Sequence, residues 1–442
     1  MSERPPAPEA LGPSARAVAA KVVQRVLEQG AFVSDALDQE LDGARLDGRD
    51  RALATELCYG VIRVERALGE RIENLAKRGV AKGDELLRAH LLVAAYQLLV
   101  LDRIPAFAAI NEAVNELRQK RGARVAGFAN AILRRLSTSG ERLSLAQALE
   151  ASVEPWLLSD LCRSVGREPA LGLLGASVGT SRRGLSVRLT MRARAAELPW
   201  LERAEPGKLV PSALWLPPSG DLRRLEGYDA GAFVVQEEGA QWAAHALGVR
   251  PGERVLDACA GHGQKSTLLA EQLGDAALFV NDVADAKLAR LRREFERLGL
   301  REPVCHRVDL TAGRGELPGG MDRVLVDAPC SGTGTLRRRP EIARRLTAED
   351  PKRLADRAAL MLSHAASCAR PGGRVLFVVC SVLRSECEDV VERVRDVLLP
   401  APFDAPAAAA VAGAGEWQCR LLPSVHGTDG YYVASLVTRG AT

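Results

Sequence analysis

Aromatic residues make up only 4% of the 442-residue chain, which argues against a binding surface built mainly from stacked bases. The nine cysteines form no CxxC pair and their count is odd. Spacing therefore indicates neither a disulfide framework nor a zinc site, and a reducing cytoplasm is the expected compartment. No run of about eighteen apolar residues occurs, so no helix is expected to span a membrane and no membrane partner is expected. The opening stretch MSERPPAPEALGPSAR lacks the apolar segment of a secretory signal. GxxxxGK[ST] is absent, so a nucleoside triphosphate fits poorly. Net charge is only +4, so there is no global polycation. The basic side is mostly arginine, whose planar fork suits phosphate. No internal repeat occurs.

Hydrophobic content of 47% and charged content of 26% are ordinary for a globular protein. The length leaves room for roughly two to four domains. Residues 1–14 are rich in Pro and Ala and are expected to form a disordered tail. Residues 15–140 read as an all-helical domain. ARAVAAKVVQRVLEQG sets Val18, Val22, Val23 and Val26 on one face and stops at Gly30. LLRAHLLVAAYQLLVLDRIP is apolar nearly all round, as a central buried helix would be, with Pro105 expected to end it. Residues 141–235 mix helical EPWLLSDLCRSVG with strand-like LSVRLTM and read as a small α/β subdomain. Residues 236–442 alternate strand, Gly-rich turn and helix, the pattern of a parallel doubly wound sheet with ligands at the strands' carboxyl ends. LPAPFDAPAAAAVAGAG reads as a low-complexity loop, and WQCRLLPS with GYYVASLVT as a closing antiparallel pair.

The chemistry concentrates in that last region. In VLDACAGHGQKST, Asp257 ends a strand and Gly261 and Gly263 make the turn. Asp282 follows at the end of the next strand, where an acid can hold a ribose diol. A third glycine is missing, so a dinucleotide fits less well than a compact adenosyl cofactor such as S-adenosyl-L-methionine. Asp309 ends CHRVDL, where a carboxylate would reach an adenine amino group. VLVDAPCSGTG and FVVCSVL then place Cys330, near Asp327, and Cys380 at two successive strand ends. Neighbouring strands lie about 5 Å apart, so both thiols can face one cleft. Cys58, Cys162, Cys305, Cys368, Cys387 and Cys419 are read as small buried apolar residues. Cys259 also ends a strand, but its spacing from the others matches no metal pattern, and no metal is expected. An adenosyl cofactor, two thiols and a carboxylate suit methylation of pyrimidine carbon 5. A thiolate added at carbon 6 makes carbon 5 nucleophilic, an aspartic acid at the ring nitrogen stabilises the developing charge, and a second cysteine assists release.

These residues bring a family into view. The sequence resembles the RNA cytosine-5 methyltransferases, most closely the RsmB/Sun group of bacterial 16S rRNA enzymes with a NusB-like N-terminal domain. DAPCSGTG, VVCSVLRSECE, VVQEEGAQ and DGYYVA look like its catalytic-domain motifs, and RDRALATELCYGVIR, AAYQLLVLDRIPAFAAINEAV and GFANAILRRL look like its helical RNA-binding domain. The resemblance implies a NusB-like domain, a small α/β subdomain and a Rossmann-like class I methyltransferase domain. It implies Cys380 as nucleophile, Cys330 in product release and Asp327 at the cytosine and the methyl end of the cofactor. It further implies Asp282 and Asp309 at ribose and adenine, and Lys265 with Cys259, Ala260, Gly261, His262 and Gly263 along the methionine moiety. The family usually reads AAPGGK where this chain has AGHGQK, with Gly261 in place of an alanine, His262 of a proline and Gln264 of a glycine; Val379, Cys387 and Thr190 also differ from its usual Thr, Asn and Asn. The expected partner is small-subunit rRNA, contacted by Arg134 and Arg135 and by Arg337, Arg338 and Arg339 of LRRRPEIARRL, and a monomer is expected. The alternatives are a tRNA cytosine-5 methyltransferase, a non-catalytic RNA-binding or antitermination factor, and a small-molecule or protein methyltransferase, which has no need of paired cysteines. His262, His306 and His364 are read as structural.

Overall fold

The computed structural model describes residues 13–76, 83–175, 183–188, 197–217 and 221–439. Most of the expected disordered tail, residues 1–12, lies outside them, as does Thr190. The chain divides into two units: Met1–Glu154 with Leu174–Ala176 and Arg338–Arg344, and Pro155–Leu173 with Ser177–Arg337 and Arg345–Thr442.

The first unit is helical. Ser14 begins the helix Ala15–Gln29 by accepting the Ala17 N–H on its hydroxyl, and Gly30 ends it in the left-handed region at φ 65°. Val18, Val22, Val23 and Val26 are buried, as their spacing predicts. The helix Glu85–Leu99 is buried on nearly every side, so its polar side chains need partners. Gln97 donates to the Val93 carbonyl at 2.8 Å and Tyr96 donates to Glu56 at 2.8 Å. Gly60 lets the helix Gly48–Arg63 approach closely, because a Cβ there would stand 2.2 Å from the Tyr96 ring. Pro105 is expected to end the central helix; the helix stops already at Leu99, and Pro105 instead precedes Ala106–Arg121. The short segment Arg338–Arg344 belongs to this unit: Arg344 pairs with Glu65, which also takes Arg88 at 2.6 Å.

The second unit holds two sheets. β1 (Arg183–Val187), β2 (Glu205–Pro206), β3 (Ala213–Leu216) and β4 (Phe233–Val235) form an antiparallel sheet in the order β2-β3-β1-β4. The large sheet contains β5 (Val255–Asp257), β6 (Leu278–Asn281), β7 (Val304–His306), β8 (Met321–Asp327), β9 (Ala369–Val379), β10 (Leu398–Pro400), β11 (Gln418–Leu421) and β12 (Tyr431–Thr438). Its order is β10-β12-β9-β8-β5-β6-β7, with β11 also paired to β12. β5 to β9 are mutually parallel, as the strand–helix alternation predicts. The closing strands β11 and β12 form the expected antiparallel pair, and β12 also runs antiparallel to β9 and β10, so the sheet is parallel from β5 to β9 and antiparallel at this edge. The Ala/Pro-rich segment is also more ordered than its composition implies, contributing β10 and the helix Pro406–Ala412. Ala408 of that helix is buried in the core, so tertiary packing overrides composition. Period-two alternation sends Val324, Val326, Val375 and Phe377 into one core and Leu325, Leu376 and Val378 into the other.

Candidate active site

The polar residues picked out in the sequence gather at the carboxyl ends of β5, β6, β8 and β9, because parallel strands end on the same side. Two backbone bonds join the last turns of β8 and β9. Ala328 N–H donates to the Val378 carbonyl at 3.0 Å, and Gly334 N–H donates to the Cys380 carbonyl at 2.9 Å. Between these anchors the chain from Pro329 to Gly332 is a loop carrying Cys330, followed by a single 3-10 turn at Thr333–Thr335. Its sulfur lies 3.5 Å from that of Cys380. The hydrogen bond to Cys380, then burial and the negative charges of Cys380 and Glu386, hold the Cys330 thiol well above its ordinary range. The two thiols lie within hydrogen-bond reach of each other, and either sulfur can be the donor.

Lys265 and Asp327 meet beside them, Nζ to Oδ2, at 2.6 Å. Burial works against the Lys265 ammonium, but Asp327 and, more weakly, Cys380 outweigh it and hold the group above the usual lysine range. Lys265 therefore sits against Asp327 and within the electrostatic reach of Cys380. The same ammonium lies 5.9 Å from the centre of the Tyr431 ring.

The carboxylates of the other strand ends face backbone amides. Asp282 accepts the Gly261 N–H at 3.1 Å on one oxygen and the Ala284 N–H at 2.9 Å on the other, with Lys287 at 3.4 Å. Asp309 accepts the Thr311 N–H and hydroxyl at 2.8 and 2.7 Å, and these bonds hold it below the ordinary carboxylate range. Asp257 is fully buried and accepts the Ser266 hydroxyl at 2.6 Å; burial, only partly offset by that bond, pushes its carboxyl up to about 6. Cys259 is held far above the ordinary thiol range by burial and by Asp257, Asp327 and Asp282. Among the described residues no three His, Cys, Asp or Glu side chains converge to hold a metal ion.

The turn between β5 and its helix has the shape of a ligand cradle. Gly261 has φ 56° and nothing within 4 Å of where a Cβ would stand, so the space beside it is open. Gly263, at φ 85°, packs its backbone against Leu291, which a Cβ would meet at 2.7 Å. Gln264 begins the helix Gln264–Leu273 and turns its amide away, donating to the Val235 carbonyl at 3.0 Å. The departure from the usual glycine therefore does not fill the cradle. His262 is exposed, its ring held below its ordinary range by slight burial, Arg290 and Lys287. His364 bonds the Leu310 carbonyl at 2.7 Å and His306 stacks on Phe279, both in structural roles.

These residues fit an adenosyl cofactor. An acid sits at the second strand end, a glycine turn is open beside it, and the exposed side chain of Val283 offers an apolar surface next to Asp282. Val283 escaped sequence reasoning, though an apolar residue directly after the ribose acid is a legible signal. Asn281 escaped it too. Its buried amide donates to the Ala258 and Val308 carbonyls at 3.1 and 3.0 Å and accepts the Val308 N–H at 2.8 Å, tying three strand ends together. Of the expected RNA contacts, Arg134 and Arg135 are exposed at the end of the helix Ala123–Thr138. Arg337 is half-buried and reaches the Gly427 carbonyl at 3.4 Å and Asp429 at 3.8 Å. Arg338 is half-buried, and Arg339 is exposed over the ring of Phe32.

The family description "16S rRNA methyltransferase RsmB/F" matches residues 244–437, and "NusB family" matches residues 13–138. The ribosomal RNA small subunit methyltransferase B of Xylella fastidiosa (strain 9a5c) is 34% identical over 427 residues, covering 95% of this chain and 99% of the relative. The protein of the same name from Shewanella oneidensis is 30% identical over 434 residues, covering 96% and 98%. Among solved structures, that of PH0851 shares the fold with a TM-score of 0.79 at 20% identity, over 98% of this chain and 100% of that one. With its sequence matched nearly end to end by relatives of that name, the chain belongs to the 16S rRNA methyltransferase RsmB/F family and is an S-adenosylmethionine-dependent RNA methyltransferase.

Proposed function

We propose that this protein methylates carbon 5 of a cytosine in 16S rRNA through a covalent bond between Cys380 and carbon 6. The observation that carries this reading is the pair of sulfurs 3.5 Å apart beside the Lys265–Asp327 ion pair. Asp282 would hold the ribose, Asp309 the adenine, and the turn from Cys259 to Gly263 the methionine end. When bound there, S-adenosylmethionine supplies an electrophilic methyl group.

Cys380 adds as thiolate to carbon 6, and the ring's electron pair moves toward carbon 5 and the ring nitrogen facing Asp327. The Lys265 ammonium favours the anionic sulfur and orients the Asp327 carboxyl. Forming the carbon–sulfur bond removes the Cys380 sulfur as the hydrogen-bond partner of Cys330. Cys330 then serves as the base, its own proton passing to solvent. Its thiolate takes the proton from the methylated carbon 5, and the freed electron pair expels the Cys380 sulfur. The target base must be unpaired or flipped out of its helix. The exposed Arg134 and Arg135 suit phosphate contacts, whose affinity falls steeply with salt.

The test follows tritium from methyl-labelled cofactor into deproteinised, unmodified 16S rRNA. Wild type should label a cytosine, Cys380→Ala should be silent, and Cys330→Ala should trap an RNA–protein adduct. Labelling of tRNA instead would overturn the substrate, and no labelling of either RNA would overturn the catalytic reading.

A further inference from the structure

We propose that Glu386 is a positioning residue that sets the spacing between Cys330 and Cys380; the inference rests on the two-cysteine chemistry above. Glu386 is 1% exposed, in the turn Arg384–Glu386 that follows Cys380. One of its carboxylate oxygens accepts the Ser331 N–H at 2.7 Å. The other accepts both the Ser331 hydroxyl and the Ser381 hydroxyl, the latter at 2.6 Å. Ser331 and Ser381 each directly follow one of the two cysteines. A single buried carboxylate therefore grips both cysteine loops at the residue next to the sulfur.

The backbone alone does not fix this spacing. The last β8–β9 anchors lie at Ala328 and Gly334, and Ser331 is at the crest of the loop between them, where no ladder bond can reach. Thr333 extends the same network, its hydroxyl 2.9 Å from that of Ser381 and accepting the Val382 N–H at 3.3 Å. Every donor around the carboxylate comes from one of the two loops. A carboxylate so deeply buried is costly unless such donors meet it, and here they also register one sulfur against the other. Burial does push the Glu386 carboxyl upward, and the bonds from Ser331 and Ser381 oppose that shift.

The experiment compares Glu386→Ala, Glu386→Gln and Cys330→Ala in the full-length protein. Glutamine keeps an oxygen for the Ser331 N–H and offers two N–H groups to the two serine hydroxyls, so it should largely rescue. Misplacement by about 1 Å lowers turnover roughly 100-fold, so Glu386→Ala should lose turnover on that scale. It should also accumulate covalent RNA adduct as Cys330→Ala does, with cofactor affinity unchanged. A purely structural role would lower adduct formation and turnover together, and that result overturns the proposal. A second measurement is independent of methyl transfer. Dibromobimane should bridge Cys330 to Cys380, read by peptide mass spectrometry, roughly tenfold more slowly in Glu386→Ala and in Ser331→Ala than in wild type. Unchanged bridging rates in both variants would overturn the clamp. If Cys330→Ala traps no adduct while bridging still slows, the chemistry fails and the clamp stands.

Discussion

The carboxyl edge of the large sheet has two halves built on different terms. At β5, β6 and β7, each acid is held by its own neighbourhood: Asp282 by the amides of Gly261 and Ala284, Asp309 by Thr311, Asp257 by Ser266. At β8 and β9, the groups are held by one another: Cys330 by Cys380, Asp327 by Lys265, Ser331 and Ser381 by Glu386. The first half is held by local bonds, which suits the proposed receptor for the cofactor. The second is a set of groups that hold one another, which suits the proposed chemistry. The difference teaches that, under the proposed roles, substitutions along a single sheet edge should separate binding from chemistry.

The sharpest test of that separation pairs Asp327→Asn with Asp282→Asn. Asp327→Asn leaves the Lys265 ammonium without its carboxylate and should lower turnover on the order of 10³-fold, with the cofactor Kd nearly unchanged in calorimetry. Asp282→Asn should do the reverse, weakening cofactor binding by roughly 10–100-fold while turnover at saturating cofactor survives. If both variants lose both properties equally, the two halves are not separable.

A second test concerns stability. Asp257 has its folded carboxyl at about 6, above the ordinary 3.8. The folded protein therefore holds that proton more tightly than the unfolded chain, and stability falls as pH rises between those values. Above that window the buried charge costs about 3 kcal/mol. Asp257→Asn should gain on wild type by that order between pH 4 and pH 7 in urea unfolding, and a constant gap would refute the burial cost.

The smallest effect is expected at Gln264. Because its amide points to the Val235 carbonyl, Gln264→Gly should change cofactor Kd by less than about threefold and lower stability by about 1 kcal/mol. A large change in Kd would mean that the side chain serves the ligand.

Much of this was legible in the sequence. Period-3.6 spacing placed the helix Ala15–Gln29, and the strand–turn–helix rhythm placed β5, β6, β8 and β9. The motifs around Cys330 and Cys380 identified the two loops that meet. The antiparallel run of β12 beside β9 was not legible, because a strand buried on both faces reads alike in either direction. Nor was the helix Pro406–Ala412, whose Ala-rich composition carries little signal until the core accepts Ala408. The resemblance places Lys265 at the methionine moiety; its partner Asp327 is 62 residues away in sequence, and only folding shows the pair. Glu386 stood in a quoted motif without a role, since its value lies in two serines brought from different strands.

The sequence by itself determined which residue types stand at the ends of which strands, because periodicity, glycine turns and strand ends are local properties of the chain. Only the tertiary structure decided which of them touch. The sulfur pair, the Lys265–Asp327 bond and the Glu386 clamp all join segments about fifty or more residues apart. Their spacing is set by strand register and burial, which local patterns do not encode.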